Sequence, residues 1–221
     1  MSDVWPWVAA AALGAYHGLD PSMGWLFAVA LGLQERSRTK LIGSLVPIGV
    51  GHLFAVGAVV LALAAARLSI SASLLRGLSA AALVAFGAFR LYRPRAHPRL
   101  GGMRVKPWEL ALWSFMMATA HGAGLMFVPV LLGVPAPTHV HGHFGAVSAL
   151  SSPSAPAHHA LVVQAAALVM VHTAAMLAVM CTLALAVYNW IGLAILRRAW
   201  INLDLIWASA LITAGVICLV I

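Results

Sequence analysis

Five residues in otherwise uncharged, apolar stretches could do chemistry: His17, Asp20, His52, His121 and His172. His17 and Asp20 are three residues apart, a spacing that on a helix puts both side chains on one face. Pro21 follows at once and leaves a backbone carbonyl without its helical donor. Imidazole, carboxylate and free carbonyl oxygens together suit a borderline divalent cation. The same groups could relay a proton, or form a buried pair that only pins two helices. An ionisable group at mid-bilayer costs about 3 kcal/mol on insertion scales, so Asp20 requires a partner or a hydrated cavity, and His17 is the nearest candidate. His52, His121 and His172 each stand among small or apolar residues. One such histidine is often a core residue bonded to a neighbouring helix, whereas four at related positions point to a shared site. Met116, Met117, Met126, Met176, Met180 and Cys181 surround the second-half histidines. Thioether with imidazole favours copper(I), although methionine also serves as a gap filler in cores.

The elements that must position these residues are membrane helices. Of 221 residues, 63% are hydrophobic and 8% charged, against about 25% charged in a soluble domain, and the mean hydropathy is +0.98. Apolar runs between breakers predict six spans near 4–33, 41–66, 70–91, 107–133, 159–188 and 199–221. The N-terminal run lacks the basic start of a secretory signal and reads as a retained first helix. It is too long for one straight crossing, and HGLDPSMG at 17–24 predicts a kink or break there. Cys181 and Cys218 lie in apolar segments and suggest neither a disulfide framework nor a thiolate zinc site.

Basic residues accumulate in cytoplasmic loops. Arg36, Arg38 and Lys40, the six from Arg90 to Lys106, and Arg197 with Arg198 all fall on one side of the six spans, so all but Arg67 and Arg76 of the 13 agree. The expectation is a multi-pass protein of a cell membrane, of the bacterial inner-membrane type, with both termini outside the cytoplasm. The net charge of +8 is then a topology signal, and no nucleic-acid partner is implied.

The basic segment 93–106 divides the chain into residues 1–92 and 107–221, each with three spans. A Trp-led span carries LGAYHGLDPSM in the first half and ATAHGAGLM in the second, so that His17 pairs with His121; likewise His52 pairs with His172. An odd number of spans per half makes the repeats inverted, and inverted repeats with interrupted helices at matching positions point to a transporter with its site at the repeat interface. The fold expected is all-α, six transmembrane helices as two inverted three-helix repeats. The external loop 134–158 carries His139, His141 and His143 at alternate positions, a short tract able to collect metal. Asp204 and Glu109 are interfacial and receive no role.

The string HGLDPSM, with GVGHLFAVGAVV about one span later, resembles the nickel/cobalt transporter families and the related nickel-cobalt exporters, within the wider lysine-exporter-like superfamily. In those families an early helix carries His-Ala-X-Asp followed by a further Asp and His, and the next helix a Leu-Gly-His signature. His17 and Asp20 match the first His and first Asp, and His52 the later His. Ser22 and Met23 stand where the families have their second Asp and second His. The motif covers about residues 12–62, and the superfamily's paired three-helix repeats cover the whole chain.

The resemblance implies a permease for a divalent transition metal such as nickel or cobalt, carried as substrate, with His17, Asp20 and His52 among its ligands; the nearby sulfur adds copper to the choices. No enzyme activity and no organic cofactor are expected. There is no GxxxxGK[ST] string, so coupling would come from an ion gradient or partner membrane subunits. Two rivals stand beside this: a redox subunit whose four histidines ligate b-type haems, and an accessory subunit that transports nothing.

Overall fold

The computed structural model describes residues 4–92, 106–132, 155–191 and 203–220. Linker residues 93–105, loop residues 133–154 with His139, His141 and His143, and Arg197 with Arg198 lie outside the described residues. Among the described residues every regular element is helical and there is no strand.

The first apolar run forms α1 (Trp5–Leu19), a 3-10 turn (Pro21–Met23) and α2 (Trp25–Gln34). The break falls at the proline, as the sequence predicts. Asp20 leaves the helix with extended dihedrals, φ −71° and ψ 118°, and its side chain accepts from the Ser22 N–H. Gly24, at φ 119°, turns the chain into α2. That angle is costly for any residue with a Cβ.

The second run forms α3 (Arg38–Ser69), begun by the Ser37 hydroxyl accepting from the Lys40 N–H, and the third forms α4 (Ala72–Tyr92). The fourth forms α5 (Pro107–Ala120), α6 (Ala123–Met126) and α7 (Val128–Leu132). Pro107 pre-sets the first turn of α5, and Glu109 accepts from the Lys106 N–H at 2.8 Å, so this acidic residue caps the helix. The break after Ala120 is resumed from Gly122 at φ 68°. The fifth run forms α8 (Ala155–Ala186), which ends in a π turn, and the last forms α9 (Leu203–Val220).

Segments Arg38–Leu63, Ser73–Tyr92 and Val162–Trp190 are long and apolar enough to cross a membrane, and α5 with the helix after it, bent by 54°, makes a fourth candidate. Six crossings were expected. The first run falls short as single helices because its break divides it into pieces of 15 and 10 residues, while a crossing takes about 20. Large apolar side chains face outward on these helices, among them Phe54, Val46, Leu61, Val163 and Met170. Polar side chains are turned inward: His17, Asp20, His52, Arg90, Ser114, His121 and His172 are each at most 2% exposed. In water such an apolar exterior would be a large unpartnered patch; lipid is the medium it suits.

The helices pair in a reciprocal pattern. α1 packs along α8, α3 along α5, and α4 along α9. In the last pair a Cβ on Gly87 would lie 3.0 Å from the Ala208 carbonyl oxygen and 2.8 Å from Ile212, and one on Gly215 would lie 3.1 Å from the Ala80 carbonyl oxygen and 2.7 Å from Val84. The two contacts exchange roles because AAALVAFG at 80–87 and ASALITAG at 208–215 share their small and branched positions.

Candidate functional site

Three histidines from three helices meet in the core. His17 lies near the end of α1, His52 in the middle of α3 and His172 in the middle of α8, and none is exposed to solvent. Their rings touch: the centroids of His17 and His172 are 4.9 Å apart, those of His17 and His52 5.3 Å, and those of His52 and His172 5.3 Å, the last pair stacked within 18°. Phe127 closes one side, its ring 5.4 Å from His172. Helix α1 comes close enough because Gly14 lies against the His172 carbonyl, where a Cβ would collide with it, and Gly18 lies against the Met176 carbonyl. Glycines four residues apart form the small-residue seam by which membrane helices approach closely.

Hydrogen bonds orient these rings. The Nδ1–H of His17 donates to the Leu13 carbonyl at 2.7 Å, and that of His172 to the Ala10 carbonyl at 3.2 Å. A carbonyl only accepts, so in the neutral rings Nε2 carries the lone pair. Fixing one nitrogen through a carbonyl is how metal-binding imidazoles are usually oriented. His52 Nε2 lies 3.1 Å from His172 Nε2, and His52 Nδ1 has no hydrogen-bond partner among the described residues. Two imidazole nitrogens bound to one ion at about 2.1 Å, at angles between 90° and 109°, are about 3.0–3.4 Å apart. The pair has that spacing as a hydrogen bond, His52 Nε2–H donating to the His172 Nε2 lone pair, and both Nε2 atoms carry lone pairs once His52 holds its proton on Nδ1. Among the described residues, no three His, Cys, Asp or Glu side chains are already arranged to hold a single metal ion.

The other two expected ligands form a separate polar node where the helix breaks meet. Asp20 lies just past the end of α1, so the helical-face pairing with His17 does not govern its direction. Its Oδ1 accepts from the Ser22 N–H at 2.8 Å and the Ser22 hydroxyl at 2.7 Å. Its Oδ2 is 3.9 Å from His121 Nε2. His121 caps α5 and donates Nδ1–H to the Met117 carbonyl at 2.8 Å. Ser22 Oγ is 3.3 Å, and Arg90 Nη2 3.4 Å, from that same Nε2.

The five expected residues are therefore all buried, but they divide between an imidazole cluster (His17, His52, His172) and a charged node (Asp20, His121). Ser22 also belongs to the node. Arg90 is the member that sequence reasoning missed, having been counted with the basic linker. The signal was its register: with Leu83, Phe86 and Gly87 it lies on the inward stripe of α4.

No family model, curated protein or solved structure matches this chain.

Proposed function

We propose that this chain is a membrane permease for a divalent transition metal ion, nickel or cobalt, with His17, His52 and His172 as the binding cluster. The observation that carries this reading is the 3.1 Å separation of His52 Nε2 and His172 Nε2 inside a buried group of three imidazoles. His17 supplies the third nitrogen when its ring turns toward the pair. A site two-thirds organised, whose last ligand must move, suits an ion that is bound and then released. The node of Asp20 and His121 adjoins it as the second polar station.

The permease has six spans as two inverted three-helix repeats, with both termini outside the cytoplasm. Three features favour that architecture: interrupted helices resumed from Gly24 and Gly122, the exchange of partners among the helix pairs, and the reciprocal contacts of Gly87 and Gly215. Transporters of this plan bind substrate where their broken helices meet, which in this chain is the Asp20–His121 node that adjoins the imidazole cluster.

The haem alternative has less support. A haem iron between two axial imidazoles holds their nitrogens about 4 Å apart with a flat macrocycle between them, whereas His52 and His172 are closer and stacked, with His17 and Phe127 packed against His172.

The test is nickel(II) binding to the purified full chain, with elemental analysis and an absorption spectrum. His52→Ala and His172→Ala should each weaken nickel binding by about tenfold or more. Unchanged metal content in both variants would overturn the site. A Soret band would restore the haem reading, and absence of both metal and haem would leave an accessory subunit.

A further inference from the structure

Arg90 is placed against the ordinary behaviour of an arginine at the end of a membrane helix. There the long side chain normally runs outward to the interface. Here Phe89, Leu91 and Tyr92 are exposed at 49%, 42% and 88%, while Arg90 between them is 1% exposed and turned inward. Its Nη2 reaches His121 Nε2, the lone-pair nitrogen of a ring whose other nitrogen is committed to Met117. Asp20 Oδ2 and Ser22 Oγ lie within 4 Å of the same nitrogen. The single Ser22 hydroxyl proton points to Asp20 Oδ1, so toward any other group that oxygen can only accept. A carboxylate oxygen and a hydroxyl oxygen thus gather around the imidazole nitrogen that the guanidinium group reaches. That mixed donor set also suits a borderline divalent cation.

We propose that Arg90 is a tethered competitor of the transported cation: its guanidinium group holds the cation position of the Asp20–Ser22–His121 node and must withdraw for a metal ion to enter. This rests on the permease reading and adds the device that sets its affinity. The charges require the exclusion. With Arg90 in place the Asp20 carboxylate is balanced, and a divalent ion added beside it would set three positive charges against one negative in a poorly screened interior. Ion and guanidinium therefore occupy the node by turns. A site whose competent state is a minor fraction binds more weakly by that fraction, so Arg90 lowers affinity and hastens release. The node also joins the break after α1 to the break after α5, so withdrawal of Arg90 loosens the point at which the two interrupted helices are held together.

The experiment measures nickel(II) affinity by calorimetry, and the thermal transition with and without nickel(II), on the full chain in detergent. Arg90→Gln should tighten binding by about tenfold or more and enlarge the nickel-induced rise in Tm, while slowing nickel release from loaded proteoliposomes. Arg90→Lys, which keeps the charge, should bind like the wild type. Equal or weaker binding in a folded Arg90→Gln chain would overturn the proposal. If Arg90→Gln does not fold, the charge-balanced double variant Asp20→Asn/Arg90→Gln replaces it and must bind more tightly than Asp20→Asn alone; equal affinities overturn the proposal. Failure of the permease site is read separately, from unchanged binding in His52→Ala and His172→Ala. Wild-type binding that depends on His52, without tightening in Arg90→Gln, sinks the competitor alone.

Discussion

Asp20→Asn isolates a charge from the hydrogen bonds around it. Asparagine keeps an oxygen to accept from the Ser22 N–H and hydroxyl, now 2.8 Å and 2.7 Å from Asp20 Oδ1, and nearly the same volume. What it loses is the balance to Arg90. Both charged groups lie within 4 Å of His121 Nε2, which puts them no more than about 7 Å apart and, at an effective dielectric constant near 20, makes their attraction about 2 kcal/mol or more. Removing either partner leaves the other buried and uncompensated, a loss of about 3–5 kcal/mol. Asp20→Asn and Arg90→Gln should each destabilise the metal-free chain by about that much, while the double variant costs about 2 kcal/mol less than their sum. The assay is reversible unfolding in mixed micelles, run as a double-mutant cycle. Additivity within about 0.5 kcal/mol would show that the two charges do not act as a unit, and the charge balance assigned to the node would be wrong.

Three further outcomes are expected. Gly87→Val and Gly215→Val each push a side chain into the facing helix, and should destabilise the chain by similar amounts, about 1–3 kcal/mol; a loss confined to one of them, in thermal unfolding, would contradict the reciprocal packing. A cysteine introduced at Gly101 should be labelled only from the cytoplasm and one at Ser151 only from outside, with the reverse pattern overturning the orientation. Replacing His139, His141 and His143 together with Ser should slow nickel uptake or release only at limiting metal and leave the thermal transition unmoved; equal rates at limiting metal would remove the collector role.

The helical membrane class was legible from composition alone, because the hydrophobic effect acts on each apolar run without reference to its neighbours. The break at Pro21 was equally local, since a proline lacks its hydrogen-bond donor in any fold, and Gly24 and Gly122 took the positive φ that their missing Cβ permits. The burial of His17, Asp20, His52, His121 and His172 followed from the cost of leaving polar groups in lipid. Their division into a cluster and a node did not. Spacing along α1 put His17 beside Asp20, but the helix ends at Leu19, and the carboxylate turns to residues 2 and 101 positions away, Ser22 and His121. The stacking of His52 on His172 depends on the close crossings of α1 with α8 and α3 with α5, set by glycines whose partners lie in the other half of the chain. Arg90 shows the limit most clearly. A basic residue at the end of an apolar run carries the same topological signal whether it reaches out to the interface or in to a buried imidazole. Only the packing of α4 against α9, which turns one stripe of α4 inward, decided that this arginine belongs to the site.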